Sequence, residues 1–400
     1  WNIQTNSFAS IEGGDVNLSG SSTMSVLQSQ LDIVVGNLLL DNDSELALDT
    51  AALHVSGGNI NMIGNSVTTG ISSEISVSCG LVAYRDNSEF VATTAHIIVD
   101  SSLCGLTEKS EPLEDDLIFI GGSASFISSK QTIVDIIQGN FVFVDQASSI
   151  THDTTVNILG GSLKFSGESV NQFNTSSVVL TSGSLLISDS ASFMNAFGSI
   201  SITGGDLVVS GEGSPLFQLE NTTSSVIAGS AVFSSGSVSW ISSTIDINGE
   251  GSLQFIGLVL NNVHQSSVSL SGAGIFHVAE SSVLNVTSSI FEITGGESTY
   301  SDNTEVSIRD SLFSVSNGNV FFSGSSEVSL RGNSTYEVAG GDLETNGFAS
   351  LDVFDESCFV VSGGSVTYRD QSSLNIFNGC WNVTGGDVFL TDSTQVTISG

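Results

Sequence analysis

Positive charge is scarce in this sequence. Its 400 residues hold 7 lysines and arginines against 42 aspartates and glutamates, which gives a formal net charge of −35. A surface of this kind repels nucleic-acid phosphates and anionic lipids, so we expect no nucleic-acid partner. The sequence also lacks any run of about 18 or more apolar residues, so we expect no membrane insertion within this chain.

Catalytic and metal-binding motifs are lacking as well. The five histidines stand in different parts of the sequence, and no zinc-ligand spacing, phosphate loop or G-x-S-x-G motif occurs. Residues 41–45 have the start of a calcium loop, but they lack the central glycine and the distal glutamate of an EF-hand. We therefore expect no catalytic residue, no metal and no cofactor, with Ca²⁺ as the one alternative.

Proline is nearly absent, with 2 residues, whereas glycine numbers 43 and serine, threonine, valine and isoleucine are frequent. This composition favours short strands joined by tight turns and disfavours helices. The chain is 40% hydrophobic, which is too apolar for a disordered segment.

A repeat of 22 or 23 residues runs through the sequence, and it is clearest in residues 340–362 and 363–384. Each unit begins with a Gly-Gly corner and then carries three short runs in which apolar and polar residues alternate. Alternation with a period of two places one set of side chains inward in a strand. The repeat predicts an all-β parallel β-helix with three strands per coil and about 18 coils. We expect residues 1–400 to form one continuous solenoid that belongs to a longer repetitive protein.

Glycine suits the corner because a sharp bend between strands needs a positive φ, which glycine adopts without steric strain. The residue after the pair is short and often polar, as in Asp342, Ser365 and Asp387, and we expect it to hydrogen-bond the local backbone. Gly-Gly corners are predicted at Gly13-Gly14, Gly57-Gly58, Gly121-Gly122, Gly160-Gly161, Gly204-Gly205, Gly295-Gly296, Gly340-Gly341, Gly363-Gly364 and Gly385-Gly386.

Residues 101–116 interrupt the repeat, since they lack alternation and contain a proline. We interpret this segment as an irregular loop inserted between two coils. Loops on a rigid scaffold often carry binding residues, so the segment is a candidate binding loop. Its acidic members are Glu108, Glu111, Glu114, Asp115 and Asp116.

The four cysteines fall into two predicted pairs. Cys358 and Cys380 occupy the same place in adjacent repeats and are expected on the outer side, close enough to form a disulfide. Cys79 and Cys104 would then tie down the irregular loop. An even count in a chain of this composition favours an oxidising, extracellular setting, and free buried thiols are the alternative.

Seven N-glycosylation sequons are present, at Asn17, Asn42, Asn174, Asn221, Asn285, Asn333 and Asn382. In a serine- and threonine-rich sequence, about this number arises by chance, so they permit glycosylation without arguing for it.

The 22- or 23-residue coils with glycine-led corners resemble the pectin-lyase-like parallel β-helix superfamily over nearly the whole chain. The resemblance implies a right-handed solenoid. That superfamily contains polysaccharide lyases and hydrolases, phage tailspikes, and non-catalytic surface, filament and adhesin proteins. The nearest counterpart to a sugar site is Arg309 with Arg331, one coil apart, near Asp302 and Asp310.

We therefore predict a non-catalytic extracellular or cell-surface rod, such as a filament subunit, stalk or appendage component. Its expected partners are further copies of itself or other surface or filament proteins. The alternatives are a surface adhesin that binds glycans or a host protein, and a polysaccharide lyase or hydrolase.

Overall fold

The computed structural model describes residues 1–103 and 116–400. The chain is an all-β parallel β-helix of about 17 turns, which confirms the predicted fold class and comes close to the predicted number of coils. It divides into two compact units, Trp1–Ile200 and Ser201–Gly400. The prediction of one continuous domain stays a prediction.

Each coil contains a first strand after the corner, a second strand and a third strand, as predicted. In the first unit, the first strands are Asp15–Leu18, Asn37–Leu40, Asn59–Met62, Leu81–Tyr84, Asp116–Ile120, Asn140–Phe143, Ser162–Phe165 and Ser184–Ser188. The second strands are Asn2–Ile3, Thr23–Leu27, Glu45–Asp49, Val67–Ile71, Glu89–Thr93, Ser125–Ser129, Ser148–His152, Val170–Asn174 and Ser192–Ala196. The third strands are Phe8–Ile11, Gln30–Ile33, Ala52–Val55, Glu74–Val77, His96–Asp100, Ile133–Gln138, Thr155–Ile158, Ser177–Leu180 and Ser199–Ile202, the last of which contains the division between the units.

In the second unit, the first strands are Asp206–Ser210, Ile275–Ala279, Glu297–Tyr300, Asn319–Phe322, Asp342–Thr345, Ser365–Tyr368 and Asp387–Leu390. The second strands are Leu216–Glu220, Val283–Thr287, Glu305–Arg309, Glu327–Arg331, Ser350–Phe354, Ser373–Phe377 and Gln395–Ser399. Two long strands, Ser230–Ile241 and Ser252–His264, serve as first and second strand together. The third strands are Thr223–Val226, Thr244–Ile247, Ser267–Leu270, Ile290–Ile293, Leu312–Val315, Thr335–Val338, Cys358–Val361 and Cys380–Val383.

The core consists of the inward side chains of these alternating strands. In Leu312–Val315, for example, Phe313 and Val315 are buried while the residues before them are not. Aromatic rings stack from coil to coil: the centroid of Phe313 lies 4.7 Å from that of Phe291 and 4.6 Å from that of Tyr336. Stacked coils therefore bury the same kind of side chain at the same place.

The glycine corners lie at the predicted turn between third and first strands, with one exception. Gly121-Gly122 lies between the first strand Asp116–Ile120 and the second strand Ser125–Ser129, so its assignment as a corner was wrong. Gly122 has a φ of 66°, as the second glycine of several corners also has a positive φ, so a glycine pair does not distinguish the two turns.

The corners Gly57-Gly58, Gly160-Gly161 and Gly204-Gly205 have no positive φ, so the predicted reason for glycine was wrong there. A Cβ at Gly58 would lie 2.3 Å from the Gly36 carbonyl oxygen, so close approach of the neighbouring coil requires glycine at that corner.

The polar residues after the corner bond to the neighbouring coil, and not to the local backbone as predicted. Ser365 Oγ donates to Asp342 Oδ1 at 2.5 Å, and Asn37 Nδ2 donates to Asp15 Oδ1 at 2.7 Å. Equivalent side chains stand in register on parallel strands about 4.8 Å apart, which is within reach of a direct hydrogen bond. These residues thus join coils along the outer surface.

A second polar column, which the sequence repeat did not predict, is buried at the turn between second and third strands. The amide of Ser266 donates to Ser289 Oγ at 3.1 Å, and that hydroxyl donates to the carbonyl oxygen of Thr287 at 2.7 Å. The same bond recurs one coil further, where the Ser289 amide donates to Ser311 Oγ at 3.1 Å. We call this column the serine ladder. In the second unit its members are Thr222, Ser243, Ser266, Ser289, Ser311 and Ser334.

Replacing Ser289 by alanine is expected to lower the free energy of unfolding by about 1–3 kcal/mol, because the buried Ser266 amide loses its acceptor. Denaturant unfolding of the purified protein measures this change. The matched control is Ser267→Ala on an outward, half-buried side chain, for which we expect a change within about 0.5 kcal/mol. Equal effects of the two substitutions would contradict a structural role for the ladder.

The turn between first and second strands has its own column of residues with positive φ. In the first unit these are Gly20, Asn42, Gly64, Asp86, Gly122, Asp145, Gly167 and Asp189, so glycine alternates with asparagine or aspartate. The aspartate carboxylate accepts the glycine amide of the preceding coil, as in Gly167 N to Asp189 Oδ2 at 3.2 Å. A Cβ at Gly167 would lie 2.7 Å from the Asp145 backbone nitrogen, so glycine is required there.

Candidate functional site

The predicted binding loop lies almost entirely outside the described residues. This applies to Glu108, Glu111, Glu114 and Asp115, and to Cys104, while Asp116 begins a first strand. Before the loop, Ser101–Leu103 form a short 3₁₀ helix after the strand His96–Asp100. The proposed role of the loop in binding and the Cys79–Cys104 disulfide stay predictions.

The predicted bridge between Cys358 and Cys380 is present. These residues stand in register at the starts of two adjacent third strands, with Cα atoms 4.5 Å apart and a disulfide between the sulfur atoms. Both side chains are half-buried on the outer side. The bond joins neighbouring coils covalently.

Arg309 and Arg331 come together as the repeat predicts. They end adjacent second strands in register, and both are exposed. Asp310 follows Arg309, and its Oδ1 accepts the amide of Asn333 at 3.3 Å. Asp302 lies in the turn before Glu305–Arg309, at the opposite end of that strand, so it does not join the arginines.

The arginine pair continues into two aromatic residues at the same position of the next two coils. The Arg331 guanidinium carbon lies 4.6 Å from the centroid of the Phe354 ring, which is a cation–π distance. The Phe354 and Phe377 rings stack with centroids 5.3 Å apart and planes 13° apart. We call Arg309, Arg331, Phe354 and Phe377 the arginine–aromatic column. It presents positive charge and apolar area side by side.

The histidines show one polar contact of note in the first unit. His96 Nε2 lies 2.7 Å from Asp135 Oδ2, and Asp135 Oδ1 accepts Asn157 Nδ2 at 2.7 Å. Within residues 1–103 and 116–400, no group of three or more His, Cys, Asp or Glu side chains is placed to hold a metal ion. None of the described helices is long and apolar enough to cross a membrane.

All seven sequon asparagines reach solvent. Asn17, Asn42, Asn221, Asn333 and Asn382 are exposed, whereas Asn174 and Asn285 are half-buried. The Asn285 side chain also donates to Asn262 Oδ1 at 3.1 Å, and a glycan would replace one of the two hydrogens on that nitrogen. Glycosylation is therefore sterically better supported at the five exposed sites.

The four tyrosines, in contrast, are all buried in the core: Tyr84, Tyr300, Tyr336 and Tyr368. Burial raises the pKa of each phenol well above its ordinary value, because the phenolate would lose its hydration. In the unfolded chain these groups ionise near their usual value of about 10. The unfolded state thus loses protons first on alkalinisation, and stability falls as the pH rises above about 10.

We therefore expect the tyrosinate absorbance to appear together with loss of the β-sheet circular dichroism, and not before it. Parallel titrations of both signals from pH 8 to 12 measure this. Tyrosinate absorbance that rises near pH 10 while the circular dichroism stays native would contradict the burial of these residues.

The comparisons with known proteins identify no relative of this chain. No protein-family model, curated protein or solved structure matches the chain. The assignment of the parallel β-helix therefore depends on the repeat and on the structure. The function is inferred below from this chain's own residues.

Proposed function

We propose that this chain is a non-catalytic structural component of an extracellular or cell-surface assembly, such as a filament subunit or stalk. Its fold is consistent with a β-helix superfamily, and membership in the non-catalytic branch of the pectin-lyase-like proteins is part of this proposal. The observation that carries it is the repeated joining of coils within each unit. Neighbouring coils are held by parallel strand pairs, by the serine ladder and by stacked aromatic rings.

This construction suits a load-bearing role because each coil contacts mainly its neighbours, and their interfaces repeat along a unit. Separation of two coils requires the loss of many hydrogen bonds and ring contacts together. The Cys358–Cys380 disulfide adds a covalent connection and is consistent with an oxidising, extracellular location.

A second candidate function is adhesion, and the arginine–aromatic column is the observation that favours it. Arginine and aromatic side chains are enriched at protein interfaces, and here they are adjacent and solvent-accessible. A glycan or a host protein could bind there. A polysaccharide lyase or hydrolase is the remaining alternative, and it would require acids and a base around the same column.

Electron microscopy of the protein purified from its native surface, at physiological salt, tests the structural role. Long uniform fibres with an axial repeat of about 4.8 Å would support a filament or stalk. Discrete particles without any higher assembly would contradict the filament interpretation. A glycan array with wild type and the Arg309→Ala/Arg331→Ala variant tests adhesion, because binding lost only in the variant would identify the column as an adhesive site.

A further inference from the structure

Two adjacent second strands of the second unit have nearly the same sequence. Glu305–Arg309 reads EVSIR and Glu327–Arg331 reads EVSLR, and the strands pair in parallel with Glu305 opposite Glu327 and Arg309 opposite Arg331. All four charged side chains are exposed on the outer face. We call these four residues the charge patch. Its glutamates and arginines form two rows that are about 13 Å apart along the strands.

Like charges opposite each other on neighbouring strands destabilise a sheet. The other described strand pairings avoid this arrangement: Val67 separates Glu45 from Glu89, and Ser365 separates Asp342 from Asp387. Within the strand pairings described for each unit, the charge patch alone places like charges in register, and it does so twice. Since stability within one molecule does not favour this pattern, the pattern points to an external partner that neutralises both rows.

The immediate surroundings leave both rows open to a partner. The residues between the charges on this face are Ser307, which is half-buried, and Ser329, which is 7% exposed, and both are small enough to allow close approach of a flat surface. No described acidic side chain forms a salt bridge with Arg309 or Arg331, and Asp310 is engaged with the Asn333 amide. The Phe354 ring beside the Arg331 guanidinium orients that side chain.

We propose that the charge patch is a self-complementary docking surface for a second copy of this chain. In the proposed dimer the two patches face each other across a two-fold axis that lies in the interface. The axis runs from strand to strand, perpendicular to the strands, so the rotation reverses the strand direction of one copy. The glutamate row of each copy then faces the arginine row of the other, and four ion pairs form. A two-fold axis along the strands would instead place glutamates on glutamates, so the charges select a single mode of pairing.

This lateral pairing goes beyond the proposed structural role, which does not require it. It also predicts an unusual dependence on salt. At low ionic strength, the net charge of −35 keeps the two copies apart, whereas about 0.15 M salt screens charges beyond about 8 Å and leaves close ion pairs largely intact. Very high salt weakens the ion pairs as well. Association is therefore expected to be strongest at intermediate ionic strength.

Sedimentation velocity of the full chain over a range of protein and salt concentrations measures this association. The acidic variant carries Arg309→Glu with Arg331→Glu, and the basic variant carries Glu305→Arg with Glu327→Arg. Either variant alone is expected to self-associate at least about 100-fold more weakly than wild type, because like charges then face each other. An equimolar mixture of the two is expected to form a heterodimer.

The control variant carries Glu45→Arg with Glu89→Arg in the first unit, which changes the net charge as the basic variant does. It should associate at least as well as wild type.

If the basic variant does not fold, the acidic variant and Arg309→Gln/Arg331→Gln still test the proposal. A monomeric wild type at all salt concentrations, unchanged association of the acidic variant, or failure of two folded variants to pair would each overturn it. None of these results would decide the proposed structural role, because electron microscopy tests that role separately.

Discussion

Phe313→Ala is expected to lower the free energy of unfolding by about 3–5 kcal/mol, the largest effect of any single substitution considered. Phe313 is 1% exposed and lies between the rings of Phe291 and Tyr336, with interplanar angles of 6° and 13°. Removal of its ring leaves a cavity and ends both stacking contacts. The coils above and below cannot close the gap, because strand hydrogen bonds hold their separation near 4.8 Å. Chemical denaturation of wild type and variant measures the difference.

Two matched variants separate this packing effect from a general sensitivity of the strand. Phe313→Leu keeps much of the buried volume and should cost clearly less than the alanine variant. Ser314→Ala changes the neighbouring outward side chain and should stay within about 0.5 kcal/mol of wild type. If Phe313→Ala were as mild as Ser314→Ala, the aromatic column would not be a major source of stability.

Loss of the Cys358–Cys380 disulfide is expected to give the second largest effect. The bond closes a loop with a sequence separation of 22 residues, and the chain-entropy model assigns about 3 kcal/mol to a loop of this length. Because the bond joins two neighbouring coils, its loss should promote local opening there. Hydrogen exchange of the Cys358–Val361 and Cys380–Val383 amides in the Cys358→Ala/Cys380→Ala variant measures that opening.

The reference for this measurement is the third strand Ile290–Ile293, which lies in the same unit and contains no cysteine. Its exchange should change much less than that of the two bridged strands. Reduction of the wild-type protein should reproduce the effect of the double substitution. Uniformly faster exchange throughout the unit would instead show that the bond acts on global stability.

The sequence predicted the coil well because period-two alternation is a direct consequence of strand geometry. In Cys358–Val361, for example, alternation alone places Phe359 and Val361 on the inward side, and both are buried. Cys358 and Cys380 could be paired because they occupy the same position of consecutive repeats. Both inferences need only the repeat length, which the glycine corners supply.

The wrongly assigned glycine corner and the missed serine ladder have a common cause, because the same residue types occur at several positions of the coil. Residues with positive φ occur at all three turns of the coil, and glycine is present at each kind of turn, so Gly121-Gly122 was assigned to the wrong one. Serine is so frequent in this chain that the buried column with Ser266 and Ser289 did not stand out, although its spacing follows the repeat. A search for serine or threonine at that spacing, two or three residues after each second strand, would have found it.

The charge patch required knowledge of strand register. The motifs EVSIR and EVSLR are visible in the sequence, and Arg309 and Arg331 were paired from their spacing. Among the strand pairings within residues 1–103 and 116–400, like charges face each other at the charge patch, and this observation depends on the register of each pair of strands. Likewise, the contact of Arg331 with the Phe354 ring depends on a side-chain conformation that no repeat pattern specifies.

The alternation of glycine and aspartate in the turn column gives this stretch of the first unit a period of two coils, twice the length of the sequence repeat. Loss of the coil that contains Gly167 would place Asp145 and Asp189 in consecutive turns, and Asp189 would lose the glycine amide that its carboxylate accepts. Loss of two consecutive coils would preserve the order. The second unit does not keep this order, since Gly324 and Gly347 lie in consecutive turns, as do Asp370 and Asp392. The two-coil period is therefore a property of this stretch of the first unit.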